Sequence, residues 1–167
     1  QHSPTLDGGA FSGDFGQIVN NGGVYYCVSK SENSIIKSTN LIDWTTVYND
    51  AGIGGDVLLI FNPSTNLMVA STTANYYVYS ADGGVTWANS AANSNLWNDG
   101  AVPVVYEGNR IHIAGNDTTN GVTYGYTING VDFVSRIGPA SSINLRIYDA
   151  IVKQTDSTHL VVGKAYS

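Results

Sequence analysis

Three short turns of one pattern recur along the chain: Ser38-Thr39-Asn40-Leu41-Ile42-Asp43-Trp44, Ser80-Ala81-Asp82-Gly83-Gly84-Val85-Thr86-Trp87 and Thr127-Ile128-Asn129-Gly130-Val131-Asp132-Phe133. Their starts at Ser38, Ser80 and Thr127 are 42 and 47 residues apart, a period that belongs to propellers and similar arrays. Each turn follows a short β-forming run, at 35–37, 76–79 and 122–126, and leads into another, so each reads as a hairpin. The Asp or Asn oxygen suits turn amides, Gly suits a positive φ, and the closing Trp or Phe folds back onto the sheet.

An apolar hairpin precedes each turn, pairing 17–20 with 24–28, 57–61 with 67–71 and 102–106 with 111–115. Asn21-Gly22-Gly23, Pro63-Ser64-Thr65-Asn66 and Gly108-Asn109 supply the bends. A fourth hairpin, 150–153 with 160–164, follows without such a turn. Four strands per unit make a propeller blade. The chain is therefore expected to be all-β, a single propeller domain or half-propeller over residues 1–167, with about three complete blades and a split fourth. Residues 1–13 read as the outer strand of the blade begun at 150–164. Joined within one chain, these ends give a four-bladed ring. Exchanged between two chains they give an eight-bladed dimer, and a fragment of a longer propeller is the third arrangement.

The turns resemble the Asp-box, or BNR, repeat, whose pattern is Ser/Thr-x-Asp-x-Gly-x-Thr-Trp. Ser80, Asp82, Gly84, Thr86 and Trp87 match it in full. The flanking copies are one residue shorter, carrying Ser38, Asn40 and Trp44 in the first and Thr127, Asn129 and Phe133 in the third. The resemblance implies a propeller whose boxes are structural hairpins away from the central site. The family spans sialidases, other glycosidases, lectins, sorting receptors and phage tail proteins, so it implies no single activity. A sialidase of this type would carry an arginine triad and a Phe/Tyr-Arg-Ile-Pro motif. This chain has Arg110, Arg136 and Arg146 only, and lacks the motif.

Thirteen acids against seven bases, a net charge of -6, argue against nucleic acid, whose binding rests on Lys and Arg at phosphates. The apolar runs are far too short to span a bilayer as helices, so no membrane insertion is expected. Cys27, the single cysteine, excludes an internal disulfide and reads as a small buried strand residue. His2, His112 and His159 are scattered without zinc spacing, and His112 reads as a strand residue. An opening Gln1 in place of Met, low charge and the sequon Asn116-Asp117-Thr118 fit an extracellular or virion-surface setting with a leader removed.

An acid stands at the start of every inner strand: Asp14, Asp56, Asp99 and Asp149. Blade symmetry would bring the four to one mouth of the central channel, where converging carboxylates recruit a cation such as calcium, or a polyol. The alternative is that each Asp caps its own loop. Trp97, just ahead of an inner strand, is a stacking candidate at the same mouth. Tyr77, Tyr79, Tyr124 and Tyr126 recur on third strands, where they either pack between blades or stack on sugar. No catalytic set stands out, and no cofactor beyond that cation is implied. The expected function is a non-enzymatic, lectin-like or phage-tail-like module for glycan binding, adhesion or assembly, with self-association or a neighbouring subunit as further partners. An Asp-box glycoside hydrolase, using acids such as Asp56, Asp99 or Glu107, and a purely structural subunit are the alternatives.

Overall fold

The computed structural model describes residues 3–54, 57–74, 76–91, 102–117 and 121–137, with short strands at 145–146, 151–153, 159–161 and 164–165. Among these residues every regular element is a strand, and no helix is long and apolar enough to cross a membrane. The chain opens with β1 (Thr5–Leu6) and β2 (Gly9–Ala10). The first blade is β3 (Phe15–Asn21), β4 (Val24–Ser29), β5 (Ser34–Ser38) and β6 (Asp43–Asn49). The second is β7 (Leu59–Asn62), β8 (Leu67–Ala70), β9 (Val78–Ser80) and β10 (Ala88–Asn89). The third is β11 (Val102–Glu107), β12 (Arg110–Asp117), β13 (Gly121–Thr127) and β14 (Phe133–Ile137).

Each blade is an antiparallel meander in chain order, with register set by its turns. Of the last blade, β16 (Ile151–Lys153) pairs with β17 (His159–Val161), the hairpin expected there. A separate pair joins β15 (Leu145–Arg146) to β18 (Lys164–Ala165).

Strand alternation explains how the blades stack. On β4, Tyr26 and Val28 face the second blade while Tyr25 and Cys27 face away, and on β8, Met68 and Ala70 face back while Leu67 and Val69 face forward. Both faces are apolar, as a sheet packed on each side requires. Tyr26, Val28 and Ile35 interlock with Leu59, Met68 and Val78 between blades one and two. Ile60, Val69 and Tyr77 meet Ile111 and Ile113 between blades two and three. Cys27 is a fully buried packing residue, and burial pushes its thiol up to about 11.

The N-terminal stretch departs from expectation. Thr5–Leu6 pairs in parallel with Asp43–Trp44, so residues 5–10 extend the outer edge of the first blade rather than supplying a strand to the last. The sequence shows two-residue strands with no alternation to read, whereas in three dimensions Thr5 N donates to Ile42 O and Asp7 N to Trp44 O, both at 2.9 Å.

Candidate functional site

In the second box Asp82 is a four-way acceptor. Its carboxylate takes hydrogen bonds from Ser80 Oγ at 2.8 Å, Val85 N at 3.0 Å, Thr86 N at 2.9 Å and the Thr86 hydroxyl. Gly84 N donates to Ser80 Oγ at 2.7 Å, and Trp87 Nε1 to Gly84 O at 3.2 Å. The hydrogen bonds from Thr86, aided by those from Ser80 and Val85, hold the Asp82 carboxyl down at about 2.

The two shorter boxes are a second consistent solution. Asn40 Oδ1 accepts from Ile42 N and Asp43 N at 2.9 and 2.8 Å, while its Nδ2 donates to Asp43 Oδ2 at 2.8 Å. Asn129 repeats this with Val131 N, Asp132 N and Asp132 Oδ2, all at 2.9 Å. Thus Asn pairs with a following Asp where Asp pairs with a following Thr. Asn40→Asp would set two carboxylates against each other. It is expected to lower the melting temperature at pH 7 by a few degrees, about 1 kcal/mol, with the loss shrinking in high salt and below pH 4. Thermal melts over a salt and pH series check this; an effect independent of both would point away from charge.

The boxes also fasten blade to blade. A methyl group on Gly84 would overlap the Tyr26 ring of the first blade, and one on Gly130 the Tyr79 ring of the second. Trp87 leans toward Tyr26 with ring centres 6.3 Å apart, and Phe133 stacks on Tyr77 at 4.5 Å and 21°. Tyr77 and Tyr79 therefore belong to blade packing. Tyr126, at the equivalent register, lies under the Arg110 guanidinium at 4.5 Å. His112 is buried on β12 with its Nε2 3.7 Å from a Glu107 carboxylate oxygen.

Strand direction separates the ends of the molecule. Each inner strand runs from the end carrying residue 14 toward the end carrying the boxes, where Asn21 Nδ2 donates to Gly83 O at 3.1 Å and Gly83 N to Asn66 O at 2.8 Å. The inner strands sit side by side, β3 against β7 and β7 against β11. Asp14 is exposed just ahead of β3, and its carbonyl accepts from Lys30 N at 3.2 Å. Asp56, Asp99, Asp149 and Trp97 lie outside the described residues. Among the described residues no group of three or more His, Cys, Asp or Glu comes together to hold a metal.

The same end carries a polar cluster with little sequence signature, because it joins residues 26 and 39 positions apart. Asp50 accepts from the Tyr76 hydroxyl, from Gly52 N at 2.7 Å and from Asn89 Nδ2 at 2.9 Å, and Tyr48 Oη donates to Asn89 Oδ1 at 2.6 Å. Partial burial opposes ionisation of Asp50, but these donors outweigh it and hold its carboxyl below the usual range. Burial first, then the hydrogen bond to Asp50, push Tyr76 up to about 12. With every group engaged, the cluster ties the outer strands of blades one and two.

At the box end, Lys37 occupies the register position held by Tyr79 and Tyr126 in the next blades. An open groove of about 270 Å³ is left there, lined by Val24, Tyr26, Lys37, Asp43 and the hydroxyl residues Ser38, Thr39 and Thr45.

No family model matches the chain, and no curated protein matches it in sequence. Among solved structures it is similar to YCF48 from Cyanidioschyzon merolae, with a TM-score of 0.58 and 13% identity over 93% of this chain and 50% of that one. It is similar to the computationally designed Ika4 protein, with a TM-score of 0.54 and 14% identity over 98% of both chains. An intramolecular trans-sialidase from Ruminococcus gnavus aligns with a TM-score of 0.43 and 18% identity, over 79% of this chain and 35% of that one. The chain thus spans half the length of YCF48 and about a third of the trans-sialidase. At these identities the likeness is one of fold, and the fold is an all-β propeller of four-stranded blades.

Proposed function

We propose that the chain is a non-enzymatic propeller module of the Asp-box type that binds a glycan, with or without calcium, at the channel end opposite its boxes. It serves adhesion or assembly outside the cell or on a virion surface. The observation that carries this reading is the polarity of the fold. Box groups are spent on their own turns at one end, whereas the inner strands run side by side from the other, where exposed Asp14 precedes β3. Asp56, Asp99 and Asp149 precede the equivalent strands in sequence, and Trp97 precedes β11. Carboxylates and an aromatic ring gathered there would suit the hydroxyls and apolar faces of sugars.

Titration calorimetry with calcium and a panel of oligosaccharides tests the proposal. Asp14→Asn with Asp56→Asn is expected to weaken the parent's binding at least about fivefold, or about 1 kcal/mol, with the melting temperature nearly unchanged. Unchanged binding in the double variant would move the site to the Lys37 groove. Release of reducing sugar by the parent would favour the hydrolase, and absence of any parent binding the structural subunit.

A further inference from the structure

Blades two and three each rest their box aromatic on the blade before: Trp87 on Tyr26 and Phe133 on Tyr77. In the first blade that seat is filled by the chain's own N-terminal stretch together with Phe15 at the start of β3. Trp44, 2% exposed, packs on Phe15 at 5.1 Å, Phe11 meets Phe15 edge-on at 4.8 Å, and Leu6 joins the cluster of Cys27, Ile36 and Trp44. We infer that residues 3–13 are a displaceable cap standing where a preceding blade would pack, and that the uncapped face of the first blade docks a second copy of this chain.

The seat is incompletely satisfied under its cap. Trp44 Nε1 is buried without a hydrogen-bond partner, whereas the equivalent indole of Trp87 donates to Gly84 O. Ser29 Oγ and Ser34 Oγ, paired in register on the same face as Cys27 and Ile36, are likewise buried and unpartnered. Buried orphans of this kind lower the stability of the contact that covers them. The hold from outside is short: two-residue strands with backbone bonds to Ile42 O and Trp44 O, and exposed side-chain bonds from Thr5 Oγ1 to Asp43 Oδ1 at 2.9 Å and from Thr46 N and Oγ1 to the Asp7 carboxylate at 3.1 and 2.8 Å. Such elements belong to the low-stability end of a fold and open locally.

Two observations point to a second copy as the occupant. This chain twice builds the same seat for a blade of its own sequence, and its fold occurs in a chain about twice as long, YCF48, of which it spans 50%.

Cys27, 0% exposed in the cluster that Leu6 packs against, reports cap opening. In the full chain, Leu6→Ser with Phe11→Ser is expected to raise maleimide labelling of Cys27 at pH 8 by roughly 100-fold or more while cooperative melting persists. Light scattering should then give twice the 17.7 kDa mass, against a single chain for the parent. A folded variant with unchanged labelling, or a parent already labelled quickly or of doubled mass, would overturn the cap. Fast labelling with single-chain mass would overturn docking of a second copy. Should the double variant fail to fold, Thr5→Ala with Asp7→Gly, which suits the φ of +50° at residue 7, decides by the same two readouts. It removes only exposed hydrogen bonds, and labelling about tenfold faster at an unchanged melting temperature is expected. No change in labelling there overturns the cap.

Discussion

Gly84→Ala is expected to lower stability by about 3 kcal/mol, a fall of roughly 9 °C in melting temperature for a chain of this size. Two independent costs add. Gly84 has φ +96°, a conformation that costs an L side chain roughly 1–2 kcal/mol. The new methyl would also enter the ring of Tyr26, which is 5% exposed and wedged among Val28, Ile35 and Met68, so the ring cannot swing clear without disturbing the core. The effect lies in blade docking, so the glycan binding proposed for the far end of the channel should survive wherever the protein stays folded. Thermal melts and a chemical denaturation curve measure it, and a loss of no more than the backbone cost, about 1–1.5 kcal/mol, would mean that box and ring are not in contact.

Asp82→Ala ranks second. It strips four donors of their acceptor, but the turn is at the surface and water replaces much of what is lost, so about 1–2 kcal/mol is expected. The pH dependence carries the sharper signature. The folded-state carboxyl titrates near 2, below its ordinary value of 3.8, so its stabilisation is complete above about pH 4 and fades as pH falls through 2. The gap in stability between the parent and Asp82→Asn should therefore be level from pH 7 to about pH 4 and close between pH 4 and 2. A gap that persists unchanged at pH 2 would show that the charge of Asp82 contributes nothing.

The blades were legible in the sequence because each rests on local signals: unbroken apolar and aromatic runs at 24–28 and 67–70, Gly and Asn at the bends, and a turn repeated at blade spacing. Asn40 and Asn129 look like decayed copies of Asp82 until their Nδ2 groups are seen donating to Asp43 and Asp132, a pairing three residues on that compensates for the altered residue. The cap was not legible. Leu6 and Phe11 follow neither strand nor helix period; Phe11 finds its place on Phe15, and Leu6 in the cluster of Trp44, 38 residues further on. Asp50, Tyr76 and Asn89 are hidden for the same reason, being brought together only once blades one and two have docked. Of the proposed mouth, Asp14 alone lies among the described residues, and its exposed place ahead of β3 follows from the hairpin register that the sequence already indicates.

The account rests on the boxes acting as fasteners between blades, and a double-mutant cycle at Gly84 and Tyr26 tests that most directly. Tyr26→Val removes the ring atoms that the methyl group would meet while leaving a residue of high β propensity in β4. In that background Gly84→Ala is expected to cost only the backbone conformation, about 1–1.5 kcal/mol, leaving a coupling of about 1.5 kcal/mol or more between the two sites. If the two losses simply add, the second box is not seated on the first blade, and the stacking of blades described here would be contradicted.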